Sequence, residues 1–327
     1  MCLLGAPLPK SRYVGSEIHG KENLVHLRYP VSGNQVNNWD DVELMWQHIF
    51  SELLKIEPDE HPLLVTAPVT GRTEKDNDTL AILLFETFIA PRAFVASPAV
   101  LSLYASGRST GLVVDSGHNQ TTCVPVYEGF PLASATHTLR LGGGEVTEHL
   151  GSILSQPGLD QSVMKEVKER FCHVALDPYR ECVRGEKGWE TQRYTLPDGK
   201  VVSIGTEAFR APEPLFAPFL GLPNTVQRVI GAADRDVRER LWGDIVLTGG
   251  NTLLPGFAER LGQDVKPMVP HGVKMGMSTV VDPRTAAWRG GSMLSSLSTF
   301  RDMCIPYKEY DEYGPVLLRR KCLGVSL

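Results

Sequence analysis

Asp115, Ser116 and Gly117 follow an apolar run and are the first candidates for chemistry in the sequence. The run 112–114 (Leu-Val-Val) is typical of a strand that is buried on both faces. In a turn after such a strand, backbone N–H groups can hold a phosphate and a carboxylate can orient a hydrated Mg²⁺. The pattern therefore predicts either a phosphate and metal site or an ordinary hairpin turn before a second strand that ends near Gly129.

Two further glycine turns repeat parts of this arrangement. The glycine triplet 142–144 precedes a helical segment, where it could hold a phosphate or form a plain turn. The apolar strand 244–248 ends in Gly249-Gly250-Asn251 before another helical segment. Two such strand ends, from separate parts of the chain, suggest a nucleotide held between two similar α/β halves.

Composition limits the class of protein. With 327 residues the chain exceeds the usual size of one core, so about two domains are expected. The formal net charge of −5, with no block of Lys or Arg, gives no indication of a nucleic acid or a membrane surface as partner. The six cysteines lack metal-ligand spacing, and no apolar run approaches the ~18 residues of a membrane span. A cytoplasmic protein is predicted, with the nucleus as the alternative.

Alternating strand and helix signals surround these candidate residues. Asn38 is predicted to begin a helix, because Asp40 and Asp41 then lie at the positive end of its dipole. Pro98 is predicted in the first turn of a short helix that ends before Gly107. Other predicted segments are strand-like pieces at 13–17 and 24–29, helices at 80–88, 163–175, 233–242 and 286–297, and a hairpin around Pro197-Asp198-Gly199.

In their order along the chain, the motifs resemble those of actin and the actin-related proteins. They extend over nearly the whole sequence: Tyr13-Val14-Gly15, Asn38-Trp39-Asp40-Asp41, Leu101-Ser102-Leu103-Tyr104-Ala105-Ser106-Gly107, Asp115-Ser116-Gly117, Val126-Tyr127-Glu128-Gly129, Leu196-Pro197-Asp198-Gly199, Gly249-Gly250, Gly290-Gly291-Ser292 and Glu309-Tyr310-Asp311-Glu312. The resemblance implies an actin-like α/β fold, of the type shared with hexokinase and heat-shock chaperones. That fold has two lobes built from duplicated α/β halves, and here the first half is expected to be truncated at its N-terminus.

The same resemblance implies a division into four subdomains. Residues 1–29 would be a remnant of the small subdomain 2, and residues 30–105 with 285–327 would form subdomain 1. Residues 106–141 with 224–284 would form subdomain 3, and residues 142–223 would form subdomain 4. The family's first phosphate loop has no counterpart in the sequence, so half of its phosphate clamp is expected to be missing.

The resemblance also implies a set of nucleotide-binding residues and a cofactor, ATP or ADP with Mg²⁺ or Ca²⁺. Asp115 would in addition hold the metal. His118 has two interpretations, contact with a phosphate or a solvated position in the turn. The implied nucleotide-binding residues are Asp115, Ser116, Gly117, His118, Gly143, Lys168, Glu169, Gly249, Gly250, Asn251 and Arg284.

Residues that the family uses for hydrolysis are replaced. Pro98 lies where the family has a glutamine that positions the attacking water. His118, Asn119 and Thr122 replace an acidic residue, a glycine and a histidine. Since positioned acid–base groups contribute typically ~10²–10⁴-fold to a rate, weak or absent ATP hydrolysis is predicted.

The family's partner-binding cleft, between subdomains 1 and 3, keeps compatible residues. They predict binding of actin-binding or other cytoskeletal proteins through an amphipathic helix, although the same residues could simply pack a hinge. Shortened loops, including one near Phe219, argue against autonomous filament formation. The sequence thus predicts a divergent actin-like protein with a structural or partner-binding cytoskeletal role, and the alternative is an ATP-hydrolysing filament subunit. The cleft positions are Tyr104, Ala105, Gly107, Leu294, Leu297 and Thr299.

Overall fold

The computed structural model describes residues 10, 12–18, 24–154, 159–185, 191–196, 199 and 201–322. The chain divides into two compact units. The first contains Met1–Val65, Gly71–Val95 and Arg301–Leu327, and the second contains Thr66–Thr70 and Ala96–Phe300. Within the described ranges, no helix is both long enough and apolar enough to cross a bilayer. The finer division into four subdomains stays a prediction.

Helices and short strands alternate along the described residues and are numbered here in chain order. The helices are α1 (Trp39–His48), α2 (Glu74–Ile82), α3 (Pro98–Ala105), α4 (Gly143–Ile153), α5 (Gln161–Phe171), α6 (Pro178–Gly185), α7 (Glu207–Arg210), α8 (Leu222–Ala232), α9 (Arg235–Gly243), α10 (Phe257–Val265), α11 (Ala286–Ser295), α12 (Phe300–Met303), α13 (Tyr307–Tyr313) and α14 (Val316–Lys321). The strands are β1 (Val31–Ser32), β2 (Gln35–Val36), β3 (Leu63–Thr66), β4 (Arg92–Ala96), β5 (Gly111–Ser116), β6 (Thr121–Tyr127), β7 (Phe130–Pro131), β8 (His137–Leu139), β9 (Gln192–Thr195), β10 (Val201–Ile204), β11 (Ile245–Thr248), β12 (Met277–Thr279) and β13 (Ile305–Pro306).

The first unit contains a three-stranded sheet in the order β13-β4-β3. Helix α13 of the same unit is held by aromatic and polar contacts. Phe85 stacks on Tyr310 with ring centroids 4.5 Å apart. The Tyr310 hydroxyl donates to Glu86 Oε1 at 2.6 Å. Because Tyr310 is buried, this bond satisfies a polar group that would otherwise destabilise the unit.

Helix α1 also belongs to the first unit and begins as the sequence predicts. The Asn38 side chain accepts a hydrogen bond from the Asp41 N–H at 3.1 Å, which satisfies one of the free donors at the helix start. Val42 packs with Leu83 and Phe88 in one apolar cluster. The helix continues directly into a π-helical segment, Ile49–Leu54, in which the partly buried Phe50 packs against the same cluster.

The second unit is organised by a six-stranded sheet with the strand order β12-β11-β5-β6-β7, in which β8 also pairs with β6. Strand β11 runs parallel to both β12 and β5, whereas β6 runs antiparallel to β5. Leu112, Val113 and Val114 are fully buried, which confirms the prediction of a strand covered on both faces. Leu112 and Val114 belong to the larger apolar cluster, and Val113 packs on the opposite side with α3.

Two predictions about local structure have different outcomes. The strand-like pieces predicted at 13–17 and 24–29 are wrong, since Gly15–Ile18 is a 3₁₀ turn and residues 24–29 form no strand. Gly15 has a φ of 59°, a left-handed conformation that does not occur within a regular strand. The predicted hairpin near residue 198 is present as the antiparallel pair β9 and β10. Its turn residues Pro197 and Asp198 lie outside the described residues.

Candidate functional site

The carboxyl ends of β5 and β11 meet at one edge of the sheet. The two strands are parallel neighbours, and their register places Thr248 beside Asp115. Both strand ends therefore belong to the second unit. Although the two strands come from separate parts of the sequence, their parallel pairing brings them together in one sheet. That a nucleotide is held between two similar halves stays a prediction. Ligands commonly bind at such an edge in α/β proteins.

The hairpin turn between β5 and β6 is held by an internal hydrogen-bond network. The Gly117 N–H donates to Gln120 O at 3.0 Å. The Ser116 and Thr121 hydroxyls are 2.9 Å apart, and Thr121 donates to Leu141 O at 2.7 Å. Both hydroxyls are buried, so Ser116 is a structural residue of the turn.

The glycine triplet 142–144 approaches this turn more closely than a larger residue would permit. Gly143 N–H donates to Gly117 O at 2.9 Å, and Gly144 N–H donates to His118 O at 2.7 Å. A Cβ atom at Gly142 would collide with His118 O. The N–H groups of Gly143 and Gly144 are therefore already used within the protein. The N–H groups of His118 and Asn119 donate to no backbone carbonyl of the described residues, which leaves them for an anion.

Two buried side chains add hydrogen bonds to these segments, one to the hairpin turn and one to the glycine triplet. The Asn251 amide donates to Gly117 O at 2.8 Å and to Ser116 Oγ at 3.0 Å. Lys168, on α5, donates from Nζ to Gly143 O at 2.7 Å. Desolvation of the ammonium is the main cause that lowers the pKa of Lys168. Four separate parts of the chain, at residues 116–118, 143–144, 168 and 251, are thus fixed at one place by direct hydrogen bonds.

Asp115 and Gly249 lie opposite each other across the strand ends. The Asp115 carboxylate makes no hydrogen bond or ion pair with another described residue. Burial raises the pKa of this carboxyl group. Gly249 has a φ of 87°, and a Cβ atom there would lie 2.6 Å from Asp115 Oδ1. A glycine is therefore required at this position, and within the described ranges Asp115 is left as a carboxylate without a partner.

His118 is an exposed residue of the turn. Its pKa is lowered by desolvation and by the positive charges of Lys168 and Lys165, while Glu145 and Glu169 act in the opposite direction. The side chain lines the cavity described below, so both interpretations of His118 made from the sequence stay open.

These residues surround a cavity of about 530 Å³ in the second unit. Every nucleotide-site residue predicted from the sequence lines it except Ser116, which is buried beneath the turn. The predicted residues that line the cavity are Asp115, Gly117, His118, Gly143, Lys168, Glu169, Gly249, Gly250, Asn251 and Arg284. The fold brings these residues together around one cavity. That they bind a nucleotide stays a prediction.

Sequence reasoning missed several residues of the cavity wall. Lys165 could have been found, because it lies three residues before Lys168 and hence on the same helix face. Ser102 reaches the cavity from α3, a position that no sequence signal predicted. Leu253 and Leu254, which follow the glycine turn, also line the cavity, and the remaining residues that were missed are Thr248, Pro283 and Ala287.

The predicted partner-binding residues lie at the ends of α3 and α11. The two helices pack closely at Gly290, where a Cβ atom would overlap Leu101 O. Leu297 is 54% exposed, whereas Leu294 is only 6% exposed and belongs to the packed layer. Phe130, which the sequence reasoning missed, is 72% exposed. Its predecessor, Gly129, lies against the Tyr104 hydroxyl, so Phe130 adds an aromatic ring to this surface. The other predicted positions, Ala105, Gly107 and Thr299, are exposed or half-buried there.

The fold and the cavity define an α/β protein with a ligand pocket at the carboxyl ends of its strands. The family model described as Actin matches residues 5–162 and 158–323, so the chain belongs to the actin family. This match confirms the resemblance drawn from the motifs and the prediction of an actin-like α/β fold.

Proposed function

We propose that the chain binds ATP or ADP in this cavity, hydrolyses ATP weakly or not at all, and has a structural or partner-binding role in the cytoplasmic cytoskeleton. The cavity at the strand ends carries the proposal. Its volume of about 530 Å³ lies within the range of ~300–1,000 Å³ usual for small-molecule sites. Its lining has three basic side chains, Lys165, Lys168 and Arg284, against the two acidic residues Asp115 and Glu169. An excess of positive charge favours a ligand with phosphate groups.

The turn supplies groups suited to the phosphate end of a nucleotide. The N–H groups of His118 and Asn119 would donate to phosphate oxygens, and the turn that carries them is fixed by Asn251. Asn251 would thus contribute to phosphate binding by holding the turn in place. Leu253 and Leu254 supply apolar surface to the same cavity, which suits the flat base of a nucleotide.

Asp115 would hold the divalent cation. Its desolvated carboxylate has no partner among the described residues, a state that a bound cation would stabilise. Among the described residues, no three His, Cys, Asp or Glu side chains are grouped to bind a metal by themselves. Phosphate oxygens and water would complete the coordination, which suits Mg²⁺, because Mg²⁺ usually keeps several waters and is bound by one or two carboxylates together with phosphates. When bound, the cation neutralises charge on the phosphates.

The start of α3 supports weak hydrolysis. Pro98 is the first residue of this helix and lies one helical turn before Ser102, which lines the cavity. A proline side chain has no hydrogen-bonding group, so it cannot position an attacking water. Asp115 is retained beside the cavity and favours the alternative, an ATP-hydrolysing filament subunit. Release of phosphate at the rate of an active family member would support that alternative.

Nucleotide binding is tested by isothermal titration of the full chain with MgADP. We expect saturable one-site binding that is weaker in Lys165→Gln, because a charged group facing the phosphates would be lost. Lys308→Gln, which changes an exposed lysine of the first unit, is the matched control and should leave the affinity unchanged. Absence of binding, or equal affinities in both variants, would contradict the proposed location.

The partner-binding role is tested at Leu297. An amphipathic helical peptide with leucines on one face is titrated against the protein, and Leu297→Asp should weaken binding because a charge would enter an apolar contact. Leu220→Asp, at a leucine that is 76% exposed elsewhere in the same unit, is the control. Undiminished binding by Leu297→Asp would exclude this surface.

A further inference from the structure

The proposed nucleotide site uses the backbone of His118 but not its imidazole. The side chain lines the cavity, and its backbone is fixed because Gly144 N–H donates to His118 O at 2.7 Å. A Cβ atom at Gly144 would lie 3.6 Å from both Nε2 and Cε1 of the imidazole. The ring therefore lies over the first turn of α4, at the wall of the cavity.

The start of α4 favours a negative charge beside this ring. The helix has 11 residues, Gly143–Ile153, and its dipole places partial positive charge at its N-terminus. The first two N–H groups of the helix already donate to carbonyl oxygens of the β5–β6 turn. The helix therefore acts on the cavity through its field, which disfavours a protonated imidazole and favours an anionic ligand.

Two lysines of α5 strengthen the same positive field. Lys165 and Lys168 are three residues apart on one face of the helix, and both line the cavity. Desolvation is the largest cause that lowers the pKa of His118, and the charges of these two lysines come next. The imidazole is therefore uncharged at neutral pH, while the two ammonium groups beside it are charged.

The acidic groups near His118 do not cancel this field. Glu145 on α4 and Glu169 on α5 raise the pKa of His118, but their effect is smaller than that of the lysines. The Glu145 carboxylate already accepts a hydrogen bond of 2.7 Å from the backbone at the start of α4. Elsewhere on the cavity wall, Asp115 and Arg284 contribute one charge of each sign. Protonation of His118 thus requires a further negative charge in the cavity.

We propose that His118 is a proton-linked phosphate-binding residue: when a nucleotide binds, the imidazole takes up a proton from solvent and donates a hydrogen bond to a phosphate oxygen. This inference rests on the proposed nucleotide binding. Phosphate charge beside the ring opposes the field of the lysines, so the pKa of His118 rises in the complex. By linkage, the affinity for nucleotide then increases as the pH falls from above the bound-state pKa to below the lowered free-state pKa.

The test is isothermal titration of the full chain with MgADP at about pH 8 and about pH 5.5, on either side of the histidine range. Buffers of different ionisation enthalpy count the protons taken up on binding. The unchanged protein should bind up to about fivefold more tightly at the lower pH, since an exposed ion pair accounts for up to about fivefold. His118→Gln keeps a polar side chain that cannot be protonated, so its affinity should change less with pH and its proton uptake should be smaller.

His271→Gln is the matched control, because His271 is an exposed histidine of the same unit that does not line the cavity. The ligand is the same in all three proteins, so protonation of ADP itself cancels in the comparison. A second readout is the NMR titration of the His118 ring proton, which is assigned by its absence in His118→Gln. Its midpoint should move to higher pH when MgADP is added.

A pH dependence that is reduced in His118→Gln and kept in His271→Gln would support the proposal. Saturable binding with the same pH dependence and proton uptake in His118→Gln as in the unchanged protein would overturn it and leave nucleotide binding intact. An NMR midpoint that MgADP does not move would also overturn it. Absence of binding at both pH values would contradict the nucleotide pocket, and the inference with it.

Discussion

Asn251→Ala tests how the pocket is held together. The substitution removes the two hydrogen bonds that the Asn251 amide donates, to Gly117 O at 2.8 Å and Ser116 Oγ at 3.0 Å. Two bonds correspond to about 1–3 kcal/mol of local stability. The lower half of that range is expected, because Gly143 N–H still satisfies Gly117 O and Thr121 still bonds Ser116.

Hydrogen exchange measured by mass spectrometry is the suitable assay, since it reports local opening rather than unfolding of a chain with two units. A loss of about 1–2 kcal/mol predicts exchange about 5- to 30-fold faster in peptides that cover 114–122 and 141–150. Asn119→Ala, at an exposed neighbour in the turn, is the control and should change local stability by less than about 0.5 kcal/mol. Exchange in Asn251→Ala at the rate of the unchanged protein would refute the inferred network.

Two further predictions concern pH and packing. His118 has a lowered pKa in the folded state, so its contribution to stability is present above about pH 6.5 and is lost as the pH falls through the folded pKa. In the absence of nucleotide, the urea midpoint of His118→Gln should therefore change less between pH 7 and pH 5 than that of the unchanged protein. An equal change in the two proteins would contradict the inference. Gly290→Ala should strongly destabilise the second unit, because its Cβ atom would overlap Leu101 O, whereas Gly231→Ala in α8 meets no atom within 4 Å. Thermal unfolding should show a large loss of stability for Gly290→Ala and a gain of about 0.5–1 kcal/mol for Gly231→Ala. Similar stabilities of the two variants would show that α3 and α11 pack less closely.

Local patterns predicted the elements that carry the site. The apolar run 112–114 predicted a strand buried on both faces, since consecutive residues of a strand point to opposite faces and all three are apolar. Asn38 predicted the start of α1, because capping depends only on neighbouring residues. The strand predicted at 13–17 is absent, because Gly15 turns the backbone out of the β region.

Long-range contacts could not be read from the sequence. Periodicity places Lys168 on a helix face, but it does not show that its ammonium binds Gly143 O. Glycines 142–144 signalled a phosphate loop or a turn, and only the fold shows two of their N–H groups donating to the β5–β6 turn. The pocket beside Phe88 had no sequence signature, because its walls come from three segments that are adjacent only after folding.

A single-turnover experiment tests the central claim, that this chain retains a nucleotide pocket but lacks efficient hydrolysis. Radiolabelled MgATP is bound to the protein, and the bound fraction is quenched and separated over time. We expect ATP to remain bound and intact, and Pro98→Gln, which supplies an amide at the start of α3, to increase its conversion to ADP. Rapid conversion by the unchanged protein would contradict the claim of weak hydrolysis, and failure to retain ATP at all would contradict the pocket itself.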